Sequence, residues 1–251
     1  MPPTARIFAG TSGWAYPTWK PGFYPAGVSA KKFLGYYASQ LNSVEVNYTF
    51  RTLPTQKQLE GWIADVHAQS PTFRFSFKAP QRITHFSRLV DCDMQLADLF
   101  AALAPAAAAG ALGLILFQLP PNFKADLPRL QAFLGAPVFR SANAAPIAFE
   151  FRNQSWFTEE TYAILCEHNA ALCIAETDDL QTPEIHTAAT HACFRLRRAG
   201  GYEPDEIASF AQRFQALAVA RDIYVYFKHE DDPTGALNAQ AFLRALASPT
   251  E

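Results

Sequence analysis

The sequence lacks the features that mark several large protein classes. Only four cysteines occur in 251 residues, with no Cys-x-x-Cys pair and no zinc-ribbon spacing. Cys92, Cys166, Cys173 and Cys193 read as reduced, buried thiols of a cytoplasmic protein. No run of about 18 apolar residues is present, so no membrane span is expected. The alanine-rich stretch 101–111 comes nearest, and Pro105 and Gly110 interrupt it. Residues 1–6 lead straight into an apolar segment, without the pattern of a secretory leader. Charge of one sign is lacking too: 21 Lys+Arg oppose 23 Asp+Glu, a net of -2, which argues against a dedicated nucleic-acid binder. No H-E-x-x-H or EF-hand pattern occurs, and Gly10-Thr11-Ser12-Gly13-Trp14 has neither dinucleotide nor Walker glycine spacing. Ser12 does not sit in a G-x-S-x-G elbow.

Apolar material is ample: 49% of residues are apolar and 21 are Phe, enough for wide surfaces between packed layers. Strand-sized apolar runs recur at 6–10, 43–47, 73–78, 112–119, 146–151, 171–176, 191–196 and 222–227. Between them lie helix-like stretches at 31–40, 55–69, 93–104, 127–134, 158–169, 205–218 and 236–247. Thr55 and Thr158 stand where N-caps belong, and Pro204 lies just before a helix start. The interval 177–190 lacks a convincing helix. Strict alternation implies parallel strands joined by crossover helices. Eight strands in roughly 250 residues favour a (β/α)8 TIM barrel, as one domain over 1–251, above an open doubly wound sheet.

Strands in such a barrel are apolar on both faces, so a charge inside one is informative. Residues two apart share a face, and functional groups gather at the C-terminal strand ends. Glu45 and Asn47 then face the interior, Ser76 shares a face with Lys78, and Glu150 shares one with Arg152. Gln118 ends strand four, and Glu176 ends strand six ahead of Asp178 and Asp179. Arg195 pairs with Arg197 on one face, as Tyr224 and Tyr226 do with Lys228. Glu45 is expected to pair with Lys78, and Glu150 with Arg152 or, across the mouth, with Arg195. Such a cluster either fills the barrel mouth as an ion-pair network or forms a pocket. Its basic excess favours a carboxylate or phosphate ligand.

The proton-moving candidates are Glu45, Glu150 and His85. Thr11, Trp14, Asn47, Lys78, Gln118, Arg152, Arg195, Arg197, Lys228 and His229 form the ligand-binding set. Trp14, Tyr16, Trp19, Phe23 and Tyr24 make either an aromatic wall over the pocket or a hydrophobic cap. No cofactor is implied. A divalent metal on Glu45, Glu150, Glu176, Asp178 or His85 is the weaker reading, because interleaved Lys and Arg compete for the carboxylates.

Several short motifs occur in order: Gly10-Thr-Ser-Gly-Trp14, Phe23-Tyr24-Pro25, Val44-Glu45-Val46-Asn47 with Thr49-Phe50, Phe77-Lys78-Ala79-Pro80 with Ile83-Thr84-His85, Phe117-Gln118-Leu119-Pro120-Pro121-Asn122-Phe123, and Glu150-Phe151-Arg152 with Ser155-Trp156. Together they resemble the DUF72, or YecE-like, family over nearly the whole chain. The resemblance implies a TIM-barrel fold. It implies no reaction, since the family's name records an unknown function. Toward the C-terminus it loosens. Arg195-Leu196-Arg197-Arg198 stands where many members read Arg-Leu-His-Gly, and Phe227-Lys228-His229-Glu230 where many read Phe-Asn-Asn. If that half shapes the pocket, the ligand here differs and is more acidic.

Three functions follow as expectations. The first is a metal-independent enzyme acting on a small anionic metabolite by hydrolysis, lyase chemistry or isomerisation. The second, by fold analogy alone, is a metal-dependent phosphodiesterase or nuclease. The third is a protein that binds the same ligand without transforming it. The expected partner is a small-molecule anion, with neither nucleic acid nor membrane. The oligomeric state is not set by the sequence.

Overall fold

The computed structural model describes residues 6–140, 145–177, 180–228 and 231–247. Eight strands run β1 (Ile7–Thr11), β2 (Ser43–Val46), β3 (Arg74–Lys78), β4 (Leu112–Gln118), β5 (Ile147–Glu150), β6 (Ala171–Glu176), β7 (His191–Leu196) and β8 (Asp222–Phe227). Seven α-helices lie between and after them: α1 (Phe33–Gln40), α2 (Gln56–His67), α3 (Asp93–Ala108), α4 (Leu127–Leu134), α5 (Glu159–Glu167), α6 (Pro204–Leu217) and α7 (Thr234–Ala247). Every strand pairing is parallel, in the order β1-β8-β7-β6-β5-β4-β3-β2. The result is a (β/α)8 barrel whose β6–β7 connection carries no helix among the described residues. None of the described helices is long and apolar enough to cross a membrane.

Local chemistry explains the helix ends. Thr55 caps α2 by accepting the Gln58 N–H, and Thr158 caps α5 by accepting that of Thr161. Pro204 is the first residue of α6, with Glu203 and Glu206 forming a capping box. The expected end of α3 at 104 is four residues early, because the helix runs through Pro105 to Ala108. Alanines around the proline favour the helix enough to absorb one lost backbone bond. Gly110, at φ 64°, then closes it. The Ala111 N–H reaches the Ala106 carbonyl at 2.8 Å, and the Gly110 N–H reaches that of Ala107 at 3.0 Å.

Outward strand residues, among them Val44, Phe75, Phe77, Phe117 and Phe149, are buried against the helices. Each such phenylalanine contributes roughly 1.5–3 kcal/mol over leaving it in water. Inward residues form a separate cluster that includes Phe8, Leu114, Leu116, Ala148, Cys173, Cys193, Tyr224 and Tyr226. Three cysteines are buried as expected, whereas Cys166 is exposed on α5. Trp19, Phe23 and Tyr24 are buried too, with Tyr24 stacked at 4.1 Å on Phe33 of α1, so these three are a hydrophobic cap.

Three irregularities in the barrel wall bear on the mouth. First, no ladder pairing joins β1 to β2 among the described residues. Side chains bridge them instead. Asn42 accepts the Ala9 N–H at 2.7 Å and donates to the Ile7 carbonyl at 2.9 Å. The Tyr37 hydroxyl accepts the Thr11 N–H at 2.8 Å and donates to the Ser43 carbonyl at 3.1 Å. The strands approach so closely that a Cβ on Gly10 would lie 1.8 Å from the Ser43 carbonyl oxygen. Second, the β3–β4 register shifts between Phe75 and Phe77. Ser76 Oγ accepts the Leu114 N–H there at 3.0 Å and the Tyr226 hydroxyl at 2.6 Å. Third, β5 and β6 pair only at Ala148–Ala171 and Phe149–Leu172. Beyond that point the two strands part.

Candidate functional site

Above the apolar interior layer the inward positions turn ionic. Glu45 on β2, Glu150 on β5 and Arg195 on β7 are 0%, 1% and 1% exposed. Arg195 Nη2 donates to Glu45 Oε1 at 2.7 Å, and Nη1 donates to Glu150 Oε2. Arg152 Nε binds the other Glu150 oxygen at 2.7 Å. One guanidinium thus holds two carboxylates from strands that are not neighbours. Losing Arg195 would leave two buried anions short of compensation, a defect that costs about 3–5 kcal/mol. Glu45 does not pair with Lys78 as expected, because Arg195 reaches it across the interior.

These contacts set proton affinities. Burial pushes the Glu150 carboxyl up, but Arg195 and Arg152 outweigh it and hold the group down at about 2. Arg195 loses affinity to burial and more than regains it from Glu150 and Glu45. Lys78, at the end of β3, is lowered to about 8, first by burial and then by Arg195. Burial and Arg195 also lower Arg197, to about 10. His85 is lowered by burial and then by Lys78, Arg152 and Arg88, so its imidazole is neutral at pH 7. Tyr16 is raised to about 12 by burial and by the Glu45 charge.

Two cations in this mouth have no carboxylate of their own. Neither Lys78 nor Arg197 makes an ion pair among the described residues. The Lys78 ammonium instead sits 4.2 Å from the centre of the Phe50 ring. His85 meets the same ring edge-on at 5.0 Å, while its Nδ1 lies 2.9 Å from Thr84 Oγ1. Among these residues four cations face two carboxylates, a net of +2. A cleft opens where β5 and β6 part, lined by Pro121, Glu150, Phe151, Arg152, Ala175, Thr177, Leu180 and Thr182. Glu45 Oε2, Asn47 Oδ1 and Arg195 Nε are buried without a hydrogen-bond partner among the described residues.

The structure gathers Glu45, Glu150, Arg195, Arg152, Lys78, Arg197 and His85 at one end of the barrel. Gln118 is buried beside Glu150 in the β4–β5 ladder. Asn47 donates to the Ser12 carbonyl at 3.2 Å, at the mouth end of the β1–β2 junction. Thr11 is not brought to the mouth. β1 continues through it, so it faces outward with Ala9, and its hydroxyl bonds the Gly13 carbonyl at 2.7 Å and Tyr37 at 2.9 Å. Trp14 packs edge-on against Trp62 of α2 at 5.2 Å, outside the ionic layer. Glu176 also turns outward, accepting from Tyr202 at 2.9 Å with Arg198 at 4.0 Å. Lys228 lines a shallow surface hollow with Arg198, Tyr202, Asp232 and Asn238. His229, Glu230, Asp178 and Asp179 lie outside the described residues.

Sequence reasoning missed Phe50 as the platform for Lys78, and Thr177, Leu180 and Thr182 as cleft walls. Phe50 follows β2 by one turn of 3-10 helix, and only that turn returns it to the mouth. The only signal available was its place next to the Glu45-Val46-Asn47 motif.

A family model described as "Protein of unknown function DUF72" matches residues 8–251. UPF0759 protein YunF of Bacillus subtilis (strain 168) is 29% identical over 160 residues, which are 62% of this chain and 54% of YunF. UPF0759 protein YecE of Escherichia coli (strain K12) is 31% identical over 129 residues, 51% of this chain and 43% of YecE. The chain thus spans about half the length of these relatives. The crystal structure of a DUF72 family protein from Thermotoga maritima superposes with a TM-score of 0.79 at 25% identity, covering 97% of this chain and 100% of that one.

Proposed function

The chain belongs to the DUF72 family, and from that premise we propose that its barrel mouth binds a small organic anion, carboxylate- or phosphate-bearing, and transforms it by proton transfer. One observation carries this reading: Lys78 and Arg197 are pressed into the mouth without an ion-pair partner among the described residues, beside an Arg195 already engaged by Glu45 and Glu150. Cations whose charge is penalised by burial and by like neighbours gain when an anion arrives. Arg152 adds donors, since only its Nε is used by Glu150.

The proton-moving roles divide unevenly. Glu150, held at about 2 between two guanidiniums, is a poor proton acceptor at neutral pH and supplies fixed negative charge. Glu45 keeps Oε2 without a hydrogen bond among the described residues, so that oxygen has lone pairs open to a substrate. Neutral His85, beside Phe50, is the second acceptor. The metal-dependent phosphodiesterase reading draws less support. Among the described residues no three His, Cys, Asp or Glu side chains are grouped to hold a metal ion.

The test is the melting temperature against inorganic phosphate, citrate and 2-phosphoglycolate, with and without divalent metal. An anion that binds only the folded chain raises it by mass action. A rise without metal that is lost in Arg197→Gln supports the reading. No rise, or one that requires metal, overturns it.

A further inference from the structure

We propose that Lys78 is a nucleophile, its Nζ joining the carbonyl carbon of the bound anion as an imine, so that the mouth's substrate class is small carbonyl compounds bearing a carboxylate or phosphate. This inference rests on the anion-binding reading above.

The placement of the amine carries it. Lys78 is the last residue of β3, on the face that Ser76 turns into the barrel interior. Its backbone is pinned: its carbonyl accepts the Thr49 hydroxyl at 2.7 Å, and the next N–H, of Ala79, reaches Leu116 at 2.8 Å. The side chain therefore starts from a fixed point at the mouth. Its nitrogen lies over the face of Phe50 and makes no ion pair among the described residues. A lysine kept only as a structural cation would be expected to take one of the two carboxylates nearby. Here Arg195 takes both. Burial and the surrounding guanidiniums lower the amine to about 8. On the order of a quarter of it is then unprotonated at pH 7.5, against about one part in a thousand for an ordinary lysine. Arg152, whose charge acts on Lys78 and which bonds Glu150 through Nε alone, keeps donors for the substrate's anionic group.

The step balances with groups already present. The ammonium first gives a proton to solvent at the open mouth, leaving the neutral amine over Phe50. The amine pair forms the N–C bond, and the carbonyl π pair moves onto oxygen, which takes up a proton. The resulting hydroxyl leaves as water with a second proton, and the C=N bond forms. In sum, an ammonium and a carbonyl become an iminium and one water, with no oxidant or reductant. An iminium next to fixed carboxylates is an electron sink for cleavage or proton shift at the adjacent carbon.

The experiment traps the imine. The full-length chain is incubated with pyruvate, with pyridoxal 5′-phosphate or with lactate, in the presence of sodium cyanoborohydride. Hydride adds to C=N and leaves a secondary amine, which is mapped by peptide mass spectrometry. The expected result is an adduct at Lys78 with pyruvate or pyridoxal 5′-phosphate but not with lactate. It should form about tenfold or more ahead of labelling at the exposed Lys31 and Lys57. Lys78→Arg, which keeps a cation, should lose it while the melting curve reports a folded protein. The pyruvate and pyridoxal 5′-phosphate arms separate a carboxylate-bearing from a phosphate-bearing substrate. Labelling no faster at Lys78 than at Lys31, with anions still raising the melting temperature, overturns the nucleophile and leaves the anion pocket standing. Neither an adduct nor anion stabilisation overturns both.

Discussion

One guanidinium, that of Arg195, organises the charge of the mouth by holding carboxylates from β2 and β5. A Glu or Arg inside a parallel strand must face a lined interior or be paired, so Glu45, Glu150 and Arg195 declared themselves by position alone. The partners of Glu150, Arg152 and Arg195, were legible too, whereas that of Glu45 was not. Pairing Glu45 with Lys78 assumes that strand neighbours meet first, whereas the closed barrel brings β2, β5 and β7 within reach of one guanidinium. Thr11 was misjudged by one residue of strand: reading β1 as ending at Gly10 makes Thr11 a loop residue, while one more residue of strand turns it outward. The clamp on Glu150 has a pH consequence. Its folded value, about 2, lies below the ordinary carboxyl range, so the unfolded chain binds its proton first as pH falls. The stabilisation is present at neutral pH and drains away between about pH 5 and pH 2. Urea denaturation across that window should show stability falling with acid, and Glu150→Gln should have a shallower slope. Equal slopes would mean that the clamp contributes nothing to folding.

At the scale of elements, hydrophobic runs locate the eight strands and seven helices of the described residues, with no end displaced by more than two residues except that of α3. Strand runs stand out because β-branched and aromatic residues crowd between turn residues. The end of α3 did not stand out, because the cost of Pro105 is offset by its alanine setting and by the Gly110 stop. The β1–β2 junction was invisible for a different reason: its bonds come from Tyr37 on α1 and from Asn42 just beyond it, neither of which belongs to a strand. Tyr37→Phe removes one hydroxyl and leaves the Thr11 N–H without that acceptor in a buried place. The expected loss is about 1–3 kcal/mol, read by denaturant unfolding, together with faster hydrogen exchange at the Thr11 amide. Unchanged exchange would assign closure to packing alone.

For the whole molecule, length and alternation were enough to indicate a barrel, because few architectures use eight parallel strands in so short a chain. What the strand pattern could not convey is where the wall opens, since the parting of β5 and β6 is a matter of register. Charge also divides by region: the chain as a whole carries -2, while the described cluster of Lys78, Arg152, Arg195 and Arg197 with Glu45 and Glu150 is net positive. Anion binding should therefore weaken from low to physiological ionic strength, as screening reaches the partly open mouth. Titration of phosphate by calorimetry in two salt concentrations checks this, and a salt-independent affinity would place the bound anion elsewhere. The unladdered junction matters at this scale as well. A hoop closed by backbone bonds derives its stiffness from chemistry that no codon can alter. A tube slit along one side and riveted by a tyrosine and an asparagine resists bending but shears along the slit, and each rivet is a single replaceable residue. In this barrel rigidity is a heritable trait separate from the fold, and it can be tuned at the side of the mouth without touching a charge inside it.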